Sequence, residues 1–287
     1  MNFKTKRKKL PPDAFAIGPD VEPEPLDPID EETWDSIVSL PDDVSIRTAE
    51  DFGTDLKNLW YLWEKWLDLV LEVQNYVKNP PESPMSNMVL DCTDHFQSSL
   101  YNTLVGFYRE GMSSMRNVLE SLTKGSYLQF LNNPSKFQQW LNGDIEISFG
   151  EASDSLLKYI KPFENQLRKS LNDDLYSQKT KTTSGGLIRR LHRELCPYTH
   201  GAPGNTNLDI WQSNGPIYVP DAFNKFKIIF IKAYIIGFIL TILTFPKLME
   251  IEQEGFRESL RLALSGVPPN DLDKRIIQEC LKNFYNI

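Results

Sequence analysis

Phe226-Lys-Ile-Ile-Phe-Ile-Lys-Ala-Tyr-Ile-Ile-Gly-Phe-Ile-Leu-Thr-Ile-Leu-Thr-Phe245 is the most apolar stretch of the chain, and its reading decides the fold. As a helix it has the length of a bilayer span. Lys227 and Lys232 interrupt it, however, and leave an unbroken part, Ala233–Phe245, of only 13 residues. Mean hydropathy over the chain is −0.38, and no second stretch of this kind exists. The stretch therefore reads as the buried central helix of an all-α bundle. A membrane-associated helix flanked by Lys225, Lys227 and Lys247 is the alternative left open.

The remaining pattern is helical too. From Asp55 to Val77, Leu56, Leu59, Trp60, Trp63, Trp66, Leu67, Val70, Val73 and Val77 recur at the three-to-four spacing of an amphipathic helix, which Pro80, Pro81 and Pro84 end. A longer helix is predicted over 87–125, with Gly106 and Gly111 marking a bend or a close crossing. Further helices are predicted over 134–141, 151–160, 163–176, 187–195 and 268–284, with irregular loops at 143–150 and 201–220. No alternating strand pattern and no internal repeat is visible, so the body is read as all-α.

Charge divides the chain. Residues 1–58 hold 14 acidic and 7 basic side chains, and the rest hold 25 and 24. A basic cluster at Lys4, Lys6, Arg7, Lys8 and Lys9 reads as a solvated tail. Residues 11–45 carry seven prolines among many carboxylates, and such a segment buries too little apolar surface to order itself. Residues 1–50 thus read as an extended, largely irregular acidic arm and 51–287 as a single helical domain. Cys92, Cys196 and Cys280 are scattered and odd in number, which speaks against a disulfide framework or a zinc site. No metal or cofactor is expected. The cysteine usage suits a reducing cytosol, and the basic start is not followed by the apolar run of a secretory leader.

Chemistry gathers at Arg193-Glu-Leu-Cys-Pro-Tyr-Thr-His200, which closes the helix predicted over 187–195. That helix has an apolar face of Leu187, Ile188, Leu191 and Leu195, with Arg189, Arg190, His192 and Arg193 on its other sides. Pro197 is expected to end regular helix. Between Lys158 and Arg193 stand nine basic residues against Glu164, Asp173 and Asp174, a concentration that favours phosphate. Lys179, Lys181, Arg189 and Arg190 are the RNA-binding candidates. An imidazole that titrates near neutrality can take a proton from a ribose 2′-hydroxyl or return one to a leaving oxygen. An arginine can grip the phosphate and stabilise transition-state charge. Arg193 and His200 are therefore the candidate catalytic pair, with Tyr198 and His192 able to assist. Arg116 and Glu120, four apart on a helix, read as an ion pair or as a brace for that site. No P-loop, dinucleotide fingerprint, nucleophile elbow or His-Glu-x-x-His is present.

Leu191-His-Arg-Glu-Leu-Cys-Pro-Tyr-Thr-His-Gly201 resembles the Leu-Ser-x-Tyr-x-His-Gly ending of many bacterial proteins of the HEPN (higher eukaryotes and prokaryotes nucleotide-binding) superfamily. Arg193 and His200 resemble its Arg-x(4–6)-His motif, and Met115-Arg-Asn-Val-Leu-Glu120 resembles an upstream helix found there. The likeness covers about residues 88–246. It implies an all-helical protein with Arg193 and His200 as a metal-independent endoribonuclease pair. It further implies a homodimer that brings two copies together, and a role in phage defence or toxin–antitoxin control beside an antitoxin or defence-system partner. A non-catalytic helical module that binds RNA or another partner is the alternative on the same residues.

Overall fold

A computed structural model describes residues 31–180, 184–199, 215–250 and 254–285. Contacts cluster into two units, Met1–Ser39 and Leu40–Ile287. Of the first, residues 31–39 are described, and they are helical. The second holds every other element.

Among the described residues there are ten α-helices and no strand. They are α1 (Glu31–Tyr76), α2 (Pro84–Leu104), α3 (Tyr108–Leu131), α4 (Pro134–Leu141), α5 (Phe149–Tyr159), α6 (Lys161–Leu171), α7 (Leu187–Thr199), α8 (Pro220–Thr244), α9 (Glu254–Gly266) and α10 (Lys274–Tyr285). Short 3₁₀ turns follow α1 and α8.

Several boundaries depart from the sequence reading. Residues 31–50 are helical rather than irregular, because this stretch has an inward side. Val44 and Thr48 are buried, and the Thr48 hydroxyl donates to the Val44 carbonyl at 2.7 Å. Pro41 lies inside α1, which is kinked at Phe52 (φ −124°, ψ 20°). Residues 1–30 fall outside the described part.

The helix expected over 87–125 is two helices that run antiparallel against each other. Gly106 breaks it at φ +85°, and a Cβ there would stand 2.4 Å from the Ile217 carbonyl oxygen. The left-handed backbone and the close approach both demand glycine. At the far end of the hairpin, Gly125 lets α3 approach Met85 and Met88 of α2. The helix expected over 163–176 stops at Leu171, with Asn172 at φ 55° closing it. α7 runs through Pro197 to Thr199 instead of ending before it. α9 was not visible as a separate helix in the sequence, and the last helix begins at Lys274.

α8 forms the core. Every residue from Ile229 to Ile242 is buried, and the helix packs against α2, α3, α9 and α10. Each large apolar side chain removed from water in this way contributes roughly 1.5–3 kcal/mol. α8 is long and apolar enough to cross a membrane, and 83% of its most apolar window is buried inside the fold. Its aromatic centre is Trp66 of α1, whose ring lies 5.0 Å from Phe96, 6.4 Å from Tyr234 and 6.1 Å from Phe238.

Lys232 interrupts the apolar run because it has partners. Its Nζ lies 2.8 Å from both Asp271 and Asp273, in the turn before α10. Asp273 is shared with Arg190 of α7, which also grips Asp173 through two parallel hydrogen bonds of 3.0 and 2.9 Å. Burial draws the Lys232 ammonium down, and Asp273 and Asp271 outweigh it, so the group stays charged.

Glu164 of α6 is 1% exposed and accepts the backbone N–H groups of Leu175 (3.0 Å) and Tyr176 (3.2 Å). These bonds hold the 174–177 turn against which α7 starts. Burial pushes its carboxyl up to about 7, against the opposing pull of the Leu175 N–H. A carboxyl raised in this sense favours the folded state below about pH 4.5, and that contribution disappears as pH rises through about 7. The shift corresponds to about 3 kcal/mol. Urea denaturation at about pH 5 and pH 8 is therefore expected to show wild type losing stability over this interval relative to Glu164→Gln. Equal slopes for the two proteins would refute the assignment.

Candidate functional site

The site is built where α7 crosses α3. α7 can begin close to the 174–177 turn because two glycines precede it. Gly185 sits at φ +81°, and a Cβ on Gly186 would lie 2.4 Å from the Leu175 backbone. Gly186, Leu187 and Ile188 then donate to the carbonyls of Ser177, Asp174 and Leu175. At the other end Arg109 of α3 donates to the Tyr198 carbonyl at 3.0 Å, satisfying one of the acceptors a helix C-terminus leaves open.

The apolar face of α7 is Leu187, Ile188, Leu191, Leu195 and Tyr198, all buried. Arg193 and Glu194 are exposed. His192 and Cys196, one turn apart, stand on the flank that meets α3 and α5. Phe149, at the start of α5, stacks on the His192 ring with 3.7 Å between centroids and 5° between planes. Glu120 of α3 lies 3.0 Å from His192 Nε2, and Arg116 Nε and Lys124 Nζ reach the same carboxylate at 2.9 and 3.1 Å. The His192 hydrogen bond, with Lys124 and Arg116 behind it, holds the Glu120 carboxyl down to about 2 despite its burial.

Nε2 of His192 meets both Glu120 Oε1, at 3.0 Å, and Arg116 Nε, at 3.4 Å, and Arg116 Nε also stands 2.9 Å from Glu120 Oε1. Nδ1 faces Cys196 Sγ at 3.7 Å. Arg116 also bonds the Thr199 hydroxyl, which itself donates to the Cys196 carbonyl at 3.0 Å.

This flank opens on a cleft of about 420 Å³. Lys179, Arg189, Arg193, His192 and Cys196 line it, and Asp154 is the one carboxylate among the lining residues. Such a surface attracts phosphate or carboxylate.

The residues named from sequence are distributed as follows. Arg116, Glu120 and His192 come together. Arg193 and Lys179 are exposed in the cleft, with Arg193 Nη2 donating to the Ser184 carbonyl at 3.1 Å. Arg189 lines the cleft while bonding Asp154 and the Tyr176 carbonyl. Arg190 faces away from it, 14% exposed and held between Asp173 and Asp273. Tyr198 is buried, and burial pushes its phenol up, so it is a poor proton carrier near neutrality. His200 and Lys181 lie outside the described residues.

Cys196, Lys124 and Phe149 were not singled out as site residues from the sequence. The four-residue spacing of His192 and Cys196 was the one signal pointing to the thiol. Among the described residues no group of three or more His, Cys, Asp or Glu side chains could hold a metal ion. Comparison of the chain with family models, curated proteins and solved structures finds no match.

Proposed function

We propose that this protein is an RNA-directed effector of HEPN-like type, which binds the RNA backbone in the cleft beside α7 and cleaves it without a metal. The observation that carries the reading is the convergence of Lys179, Arg189 and Arg193 with a braced histidine on one cleft. In this proposal the cations seat the phosphate, and Arg193 stabilises the charge that develops on it. His200 or His192 removes the 2′-hydroxyl proton and returns one to the leaving oxygen.

The test is cleavage of a fluorescent RNA in excess chelator. Wild type is expected to cut it. Arg193→Ala and His200→Ala are expected to cut on the order of a hundredfold more slowly while melting at the wild-type temperature. Binding should weaken steeply with salt, with a shallower dependence in Lys179→Ala.

One observation favours a non-catalytic RNA-binding reading of the same cleft. Both ring nitrogens of His192 already face protein partners, Glu120 and Cys196. RNA that wild type binds with this salt dependence and leaves intact would select that reading. Neither binding nor cleavage would sink both.

A further inference from the structure

Three groups from two helices form a relay beside the cleft. The Glu120 carboxylate lies 3.0 Å from His192 Nε2, His192 turns Nδ1 towards Cys196, and the Cys196 sulfur lies 3.7 Å away. A carboxylate that orients an imidazole whose other nitrogen meets a thiol is the arrangement that activates a nucleophile. The remaining cysteines are differently placed. Cys92 and Cys280 are buried, with 0% of their surface exposed, whereas Cys196 is part-exposed and lines the cleft.

The reactive partner is set by the walls. Lys179, Arg189 and Arg193 line the same cleft as the sulfur, with Asp154, paired to Arg189, as the one carboxylate among the described lining residues, so an electrophile carrying negative charge is drawn in. Phe149 shields the face of the imidazole and holds the ring in place.

We propose that Cys196 is a base-activated nucleophilic thiol and a covalent-modification site for small disulfides bearing carboxylates. Burial pushes the thiol up, so it rests protonated, and His192 supplies the missing step. With the ring proton on Nε2, facing Glu120, Nδ1 takes the proton from Sγ as the sulfur pair forms a bond to one sulfur of the disulfide. The old S–S bond breaks, and the departing thiolate leaves with that electron pair and takes the proton back from His192. The products are one mixed disulfide on Cys196 and one free thiol, with no further oxidant required. The adduct would place its carboxylates among the cleft cations. This chemistry stands whether or not the cleft takes RNA.

The test uses the full chain with oxidised glutathione at neutral pH, read by intact mass and peptide mapping. A single adduct is expected on Cys196, formed at least about tenfold faster than on N-acetylcysteine. His192→Gln should bring the rate down to that of the free thiol, and Cys196→Ser should abolish the adduct. Cystamine, a cationic disulfide, should react more slowly with Cys196 than oxidised glutathione does, after both rates are normalised to N-acetylcysteine. Arg193→Ala should narrow that difference. No adduct, an adduct at the free-thiol rate, or a rate unchanged in folded His192→Gln would overturn the proposal. Should His192→Gln fail to fold, the wild-type preference between the two disulfides decides, and its absence counts against the site.

Discussion

Lys232→Met is expected to cost about 3–5 kcal/mol of stability, the range for removing one partner of a buried ion cluster. In the native fold Lys232 and Arg190 face three carboxylates, Asp271, Asp273 and Asp173. Without the ammonium, Arg190 alone must balance all three, and Asp271 loses its partner in a site where side-chain exposure is 16%. Methionine fills the space but carries no hydrogen for either aspartate. Adding Asp271→Asn to the variant removes one of the unbalanced charges and should recover part of the loss. Urea denaturation near neutral pH gives both values. A loss below about 1 kcal/mol for Lys232→Met would show that the cluster is solvated and contributes little.

Trp66→Ala is expected to be comparably severe, at about 3–5 kcal/mol. The indole is 0% exposed, it is the ring around which Phe96, Tyr234 and Phe238 gather, and its Nε1–H satisfies the Val89 carbonyl at 3.1 Å. Truncation leaves a cavity and removes the one hydrogen bond that tied α1 to the Val89 carbonyl of α2 through this ring. The same ring explains Gly237. A Cβ there would stand 2.6 and 2.8 Å from two Trp66 ring carbons, so Gly237→Ala in wild type should cost about 1–3 kcal/mol by overpacking. In the Trp66→Ala background the two closest contacts are gone and the extra methyl meets only Leu122 Cδ1 at 3.2 Å, the far end of a flexible side chain, so most of its cost should vanish. A double-mutant cycle measures this coupling. Additive losses would mean that Gly237 is required for some reason other than the indole.

Much of the fold was legible because local spacing carried it. The three-to-four repeat through Leu59, Trp63, Trp66, Val70 and Val73 marks a helix whatever surrounds it. The apolar run of α8, broken by Lys227 and Lys232 to 13 residues, reads as core rather than as a membrane span. What escaped was decided by distant residues. Lys232 looked like an interruption because its aspartates lie some forty positions later. Arg190 looked RNA-facing because the helix pattern sets it opposite the apolar side, whereas Asp173 and Asp273 claim it from two other segments. The glycine pair before α7 reads as loop in a linear sequence, and only the nearby Leu175 backbone gives it a reason. The site was legible in part. Arg116, Glu120 and His192 join one another, Arg193 lines the same cleft as His192, and His200 lies outside the described residues. Cys196 was passed over because a single thiol acquires chemistry only from what stands beside it.

The position of α8 in the chain carries a consequence for synthesis. From Ile229 to Ile242 this helix is inward-facing on all sides, yet part of its cover comes from α9 and α10, which a ribosome makes afterwards. While residues 254–285 are still being added, the nascent chain presents an apolar rod with an ammonium at its middle and no aspartate to meet it. Folding of the centre must wait for residues 254–285, a window in which the growing protein is exposed to aggregation. Release of a chain stopped before Asp271 should yield a client for chaperones and proteases rather than a smaller stable bundle.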